Sequence, residues 1–210
     1  MIKILIADDH AVVRRGLRQI VEDEADIVIA AEAATGSEAI ERARQLEYDV
    51  ALLDINLPDV SGLEVLKQLK ATQPNTAVLI LSVHPEDQYA VRMLKAGASG
   101  YLNKDSAPEE LVKAIRKVHL GGRYVSEALA QTLAADLNRA TDRPRHAALS
   151  DREYQIFLLL AAGKAVGQIA TELTLSAKTV STHRKHILKK MELANTAELM
   201  RYALEHGLLS

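Results

Sequence analysis

Val50-Ala51-Leu52-Leu53-Asp54 decides the fold. Four apolar residues in succession leave no polar face, and a carboxylate ends the run. A stretch this short, apolar on both alternating sides, reads as a strand in a parallel sheet covered on both faces. Working outward, similar runs occupy residues 4–7, 27–30, 78–81 and 100–102. Amphipathic stretches separate them. Val13, Leu17, Ile20 and Val21 fall on one helical face, and Leu63, Leu66 and Leu69 on another. Segments around Ser37 and Ile40, over 85–96 and over 108–120 complete five expected helices.

Strict strand–helix alternation with short loops predicts a doubly wound α/β fold. Five strands in this length suggest the flavodoxin-like order 2-1-3-4-5. Ligands of such sheets bind beyond the carboxyl ends of the strands. Asp8 and Asp9 follow the first strand, Asp54 ends the third, Ser82 the fourth, and Lys104 follows the fifth. Each residue alone has an ordinary explanation, since Asp and Ser are common helix caps. That explanation does not account for their convergence. Three carboxylates in one crevice repel one another and need a cation or raised pKa values. An oxygen-only donor set favours a hard cation, with Mg²⁺ the natural choice. A carboxylate beside Mg²⁺ and an ammonium group can attack a phosphoryl donor, and the Ser82 hydroxyl can hydrogen-bond a phosphoryl oxygen.

Asp8-Asp9-His10, the run from Asp54 through Asn56, Pro58 and Asp59 to Gly62, and the run from Gly97 through Tyr101 and Lys104 to Asp105 resemble bacterial response-regulator receivers. The resemblance covers roughly residues 1–120. It implies Asp54 as phosphoacceptor, and Asp9, Asp54 and the Asn56 carbonyl as Mg²⁺ ligands, with Asp8 joining through water. It further implies that Ser82 and Lys104 contact the phosphoryl group and that Tyr101 is the aromatic that moves with the hydroxyl. Asn56 and His84 stand where the family tunes how long the phosphoryl group survives. Asp105 replaces the proline that follows the lysine in many receivers. Lys-Asp is the pattern of the subfamily with a tetrahelical DNA-binding tail.

Charge is unevenly placed. Residues 1–142 hold 16 Lys+Arg and 22 Asp+Glu, a balance of −6, while residues 143–210 hold 10 and 6, a balance of +4. A basic module on an acidic one suggests that the tail meets a polyanion. The absence of cysteine excludes disulfides and thiol chemistry. The seven histidines show no metal-site spacing. No run of eighteen apolar residues marks a membrane span. The opening Met1 to Ile6 meets Asp8 and Asp9 too early for a signal peptide, so a cytoplasmic location is expected.

The expected domains are a receiver over 1–122, a linker over 123–148 with a helix near 126–137, and an all-helical domain over 149–210. Leu129, Leu133 and Leu137 give the linker helix its period, and a polar stretch from Asn138 to His146 follows. Ser150 and Glu153 form a capping box for a helix carrying Tyr154, Phe157, Leu158 and Ala161, which Gly163 ends. A short helix around 168–173, a turn at Thr174-Leu175, and a third helix capped by Ser176 make a helix-turn-helix pattern. On the third helix Val180, Ile187, Leu188 and Met191 form the apolar side, while Lys178, Ser181, Thr182, Lys185 and Lys189 populate the other. Short hydroxyl residues between lysines suit a helix entering the major groove.

Leu149 to Glu153, Ile169-Ala170 and Ser176 to His183 resemble the tail of NarL/FixJ (LuxR-type) regulators. The resemblance implies Ser181, Thr182 and Lys185 near base edges, and Lys178, Thr179, Arg184 and Lys189 near phosphates. Ala165-Val166-Gly167 departs from the polar cap usual in the family, and Gly167 is expected to loosen the short helix. The last helix, near 195–205, is apolar over more than half its circumference, which suggests a second subunit. Leu199, Tyr202 and Ala203 are the expected dimerisation residues.

The combined reading is a two-component response regulator. Phosphotransfer from a histidine kinase to Asp54 is expected to control homodimerisation and binding to double-stranded DNA, without the chain being a dedicated enzyme. One alternative is a receiver whose tail binds a protein. Another is a Mg²⁺-dependent aspartyl-phosphate phosphohydrolase, which would usually want Asp where Asn56 stands.

Overall fold

The computed structural model describes residues 1–82, 88–106, 108–138 and 144–209. Two compact units divide it, Met1–Thr132 and Leu133–Ser210. The first holds β1 (Ile2–Ala7), α1 (Ala11–Glu22), β2 (Ile27–Ala33), α2 (Gly36–Gln45), β3 (Val50–Asp54), α3 (Gly62–Thr72), β4 (Ala77–Ser82), α4 (Gln88–Lys95), β5 (Gly100–Asn103) and α5 (Pro108–His119). The strands form one parallel sheet in the order β2-β1-β3-β4-β5, as the alternation predicts.

Side chains alternate across a strand, so each face has its own apolar set. Ile4, Ile6, Leu52, Leu79 and Leu81 pack with Leu17 and Val21 of α1 and with Leu111, Ile115 and Val118 of α5. The opposite set, Leu5, Ala51, Leu53, Val78 and Ile80, is equally buried, as are Ala39 and Ala43 of α2 and Leu63, Leu66 and Leu69 of α3. Every residue of β3 and β4 is buried.

Pairing carries the sheet beyond its sequence reading, most at β2 and after α5. β2 continues through Ala31-Glu32-Ala33, a good helix-forming stretch, because these residues pair with Leu5, Ile6 and Ala7 of β1; tertiary pairing overrides local propensity. Beyond α5, Tyr124 forms a parallel bridge with Gly100 on the β5 edge. Its N–H donates to the Ser99 carbonyl at 3.0 Å, and its carbonyl accepts from Tyr101 N–H at 2.9 Å. The Tyr124 hydroxyl pairs with Glu110 of α5. These contacts extend the first unit past Gly122.

Helix α6 (Glu127–Asn138) follows, capped by Ser126, whose hydroxyl accepts from Leu129 N–H at 3.1 Å. The helical unit then comprises a 3₁₀ turn (Arg145–Ala148), α7 (Asp151–Ala161), α8 (Val166–Glu172), α9 (Ala177–Lys190) and α10 (Thr196–Glu205). Ser150 and Glu153 form the expected capping box. Glu153 also accepts from Lys190 Nζ at 2.6 Å, tying the start of α7 to the end of α9. Ala165 offers no capping side chain, yet α8 forms. Gln168 accepts from Ala165 N–H at 2.8 Å, the half of a capping box that needs no side chain at the cap. Thr174 turns the chain at φ 52°, and Ser176 caps α9.

Among the described residues no helix is long and apolar enough to cross a membrane.

Candidate functional site

The sheet delivers its polar residues to one edge. Asp8 lies just past β1, Asp54 and Ser82 are the last residues of β3 and β4, and Lys104 follows β5. Register fixes their level: Asp54 pairs with Leu81, and Ser82 with Asn103. Lys104 N–H then donates to the Ser82 carbonyl at 2.8 Å.

Lys104 sits between two buried carboxylates. Its Nζ lies 2.6 Å from Asp8 Oδ2 and 2.7 Å from Asp54 Oδ2, with Asp8 at 1% and Asp54 at 2% exposure. Burial pushes the Asp54 carboxyl up, and Asp8 adds to the rise, against the pull of Lys104 and the Asn56 N–H. For Lys104 burial acts to lower the pKa, but Asp54 and Asp8 outweigh it and raise it, so the ammonium stays charged. One ammonium shared by two buried carboxylates does not balance their charge.

The backbone is shaped to suit. Asp54 Oδ1 accepts from Asn56 N–H at 3.2 Å. A β-carbon on Gly62 would stand 2.7 Å from the Asp54 carbonyl oxygen, so only glycine lets the following loop fold back so closely. Ser82 and Tyr101 are both buried, at 1% exposure.

Asp8, Asp9, His10 and Asp54 each offer one ligand atom within 4.8 Å of the others. The three carboxylates named from sequence fall together, and His10 joins them at the exposed rim. The chain turns into α1 at His10 and brings its Nδ1 to 2.7 Å from Asp9 Oδ1. That imidazole is largely solvent-exposed and engaged with the carboxylate. The buried donors remain carboxylates, and among the described residues Asp8 Oδ2 has the Lys104 ammonium beside it but no hydrogen-bond partner. An acidic pocket with an under-satisfied buried oxygen fits a hard divalent cation.

In the helical unit α9 presents a polar face. Lys178, Ser181, Thr182, Lys185 and Lys189 are exposed, and Thr179 and Arg184 half-buried, while Val180 and Ile187 are fully buried.

Comparison with known proteins matches this layout. Residues 4–116 match the response regulator receiver domain, and residues 147–203 match the bacterial regulatory proteins of the luxR family. The chain is 37% identical over 209 residues to the response regulator UvrY of Escherichia coli K12, covering 99% of this chain and 96% of that protein. It is 38% identical to the response regulator GacA of Pseudomonas aeruginosa, covering 100% and 98%. Among solved structures it resembles the RcsB–DNA complex, at 25% identity, 96% coverage of each chain and a TM-score of 0.60. The chain is a two-component response regulator of the NarL/FixJ family. Its receiver is coupled to a LuxR-type DNA-binding domain, and it regulates transcription.

Sequence reading of this response regulator missed some supports and misassigned others. Arg14 of α1 donates to the Asp8 carbonyl at 2.6 Å and sits 3.5 Å from Glu32 of β2, holding the loop that presents Asp8 and Asp9. Its only sequence signal is placement one helical turn past that loop. His84 lies outside the described residues. Leu199, Tyr202 and Ala203 are not on the outer face of α10. They are buried at 0%, 8% and 0% exposure in the core that α10 shares with α7. Helical period alone does not say which part of a wide apolar face turns inward. The part left outside consists of Leu204, at 66% exposure, Ala197, and the half-buried Met200.

Proposed function

We propose that this regulator is switched by phosphorylation of Asp54, and that the switch controls pairing of two chains on DNA. The observation that carries this reading is the Asp8–Lys104–Asp54 arrangement, a buried carboxylate at a strand end held beside one cation and a second acid. An Asp54 carboxylate oxygen attacks the phosphorus of a kinase phosphohistidine or a small acyl phosphate. The new O–P bond replaces the P–N or P–O bond of the donor, whose leaving group departs with the electron pair. Mg²⁺, held by Asp9, Asp54 and the Asn56 carbonyl with Asp8 behind them, would neutralise phosphoryl charge. Lys104 then transfers its contact from the carboxylates to the phosphoryl oxygens, and Ser82 donates its hydroxyl. The added charge of about −1.5 to −2 draws both residues inward and repacks the face around Tyr101. This shifts the population toward a dimer-competent state.

In that state two α9 helices meet successive major grooves of double-stranded DNA. Ser181, Thr182 and Lys185 face base edges, and Lys178, Thr179, Arg184 and Lys189 face phosphates. The homodimer contact runs through the outer face of α10, at Ala197, Met200 and Leu204. The chain accepts a phosphoryl group without being a dedicated enzyme, and it works in the cytoplasm.

Genomic DNA selection with and without acetyl phosphate and Mg²⁺ tests the reading. Inverted half-sites, enriched by the donor and lost in Asp54→Ala, are the expected result. Sequence-specific binding indifferent to the donor would remove phosphorylation as the control. Failure to bind in either state would point to a protein partner for the tail.

A further inference from the structure

The turn that leads into α7, Arg145–Ala148, holds two helices at once. Arg145 Nη1 donates to the carbonyl oxygens of Met191 and Glu192, at 3.1 and 3.5 Å, where α9 ends. The next residue, His146, is buried, and its Nδ1 lies 3.1 Å from the Tyr202 hydroxyl of α10. Burial raises the Tyr202 pKa, and the backbones of His146 and Arg145 pull it the other way, so the turn bears on that phenol through main chain as well.

The end of α9 needs such support. A helix C-terminus leaves carbonyls unsatisfied and carries partial negative charge, which a guanidinium answers on both counts. The chain leaves α9 through Glu192 at φ 54°, a left-handed value that suits glycine and strains a residue with a β-carbon. Leu193 N–H reaches back to the Leu188 carbonyl at 2.9 Å, so the helix is closed in the manner a glycine usually provides. Arg145 holds in place a terminus whose own sequence resists the conformation.

We infer that Arg145 is a positioning residue for the DNA contacts of α9. Its guanidinium fixes the last turn of the helix, and the Arg145-His146 pair fixes that turn relative to α10, without touching DNA. Two recognition helices must match two half-sites, so a loosened turn costs discrimination before it costs attraction to the polyanion. The inference rests on the reading of α9 as the DNA-contacting helix.

The test uses the full-length protein and four variants: Arg145→Ala, Arg145→Lys, Glu192→Gly, and Arg145→Ala with Glu192→Gly. Affinity is measured for a selected site and for an unrelated duplex across a salt series, with the melting temperature followed alongside. Arg145→Ala is expected to weaken the selected site roughly tenfold, within the range of losing one base contact. The unrelated duplex and the salt slope are expected to stay unchanged. Arg145→Lys keeps a cation at the helix end and recovers most of the loss. Glu192→Gly added to Arg145→Ala also recovers it, because glycine closes the terminus unaided. If Arg145→Ala fails to fold, the Lys variant and Glu192→Gly carry the comparison.

Unchanged affinity in Arg145→Ala overturns the inference, and so does absence of rescue by glycine. A salt slope shallower by about 1 in Arg145→Ala also overturns it, because Arg145 would then be a phosphate contact. A wild-type protein that binds no sequence selectively sinks the reading of α9 itself, and this inference with it.

Discussion

At Gly100 a β-carbon would stand 2.6 Å from the Tyr124 carbonyl oxygen and 2.9 Å from Leu79 Cδ1. Backbone cannot yield there without breaking the bridge that Tyr124 makes beside β5. Gly100→Ala is expected to destabilise the first unit by about 1–3 kcal/mol, the usual range for overpacking, as read from urea unfolding. Asp59 is the second residue whose role is local. Its carboxylate accepts from the N–H groups of Gly36, Ser37 and Val60 at 2.7, 2.9 and 2.8 Å, and so caps α2 from a loop 22 residues away. Burial acts to raise its pKa, but a hydrogen bond from the Ser37 side chain, together with these three N–H groups, outweighs it and lowers the value to about 2. A depressed carboxylate pKa means stabilisation that is complete above the unfolded value of about 4 and lost as pH falls toward 2. Asp59→Ala should therefore cost roughly 1 kcal/mol near neutrality, a capping-sized effect kept modest by solvent exposure. The gap between variant and wild type should close as unfolding is repeated from pH 4 downward. A gap that persisted at the acid end would show that the carboxylate charge is not what holds α2.

At the scale of elements, the sheet was legible because burial on both faces leaves an unmistakable apolar run, and a polar residue marks where each of four strands ends. Asp8, Asp54, Ser82 and Lys104 could be placed from strand ends alone. What the sequence withheld depends on partners far along the chain. The extension of β2 needs β1, the Tyr124 bridge needs β5, and the contact of Arg14 with Asp8 needs a helix orientation. Helix α10 shows the same limit in another form, since its apolar face exceeds what α7 covers and only packing reveals the remainder. Helix α9 was simpler, with Val180 and Ile187 inward and the lysines outward. Its two proposed classes of contact predict different losses. Lys185→Ala should cost about 1–3 kcal/mol and relax preference at one base position, while Lys178→Ala should weaken all duplexes alike and flatten the salt slope by about 1. Measuring both variants over a salt series decides the assignment. Equal slopes with equal specificity in the two variants would dissolve the distinction between them.

At the scale of the whole molecule, the proposed switch requires that receiver chemistry change how two chains meet, and α10 is where the two requirements can be separated. Leu199 is fully buried, so Leu199→Ala should cost about 2–5 kcal/mol of tail stability and abolish DNA binding by unfolding. Leu204 is 66% exposed, on the side of α10 turned away from that core. Leu204→Glu places a charge where one chain gains solvent, and where a symmetric pair would bring two carboxylates together at the two-fold axis. The expected outcome is an unchanged melting temperature, normal phosphorylation of Asp54 on a phosphate-affinity gel, and a protein that stays monomeric with acetyl phosphate and Mg²⁺. Its DNA affinity should then be that of a single half-site in both states, so the donor response disappears although the donor reaction does not. Sedimentation velocity with and without donor gives the reading. A variant that still dimerises on phosphorylation would move the subunit contact off α10 and leave the exposed leucine to some other partner.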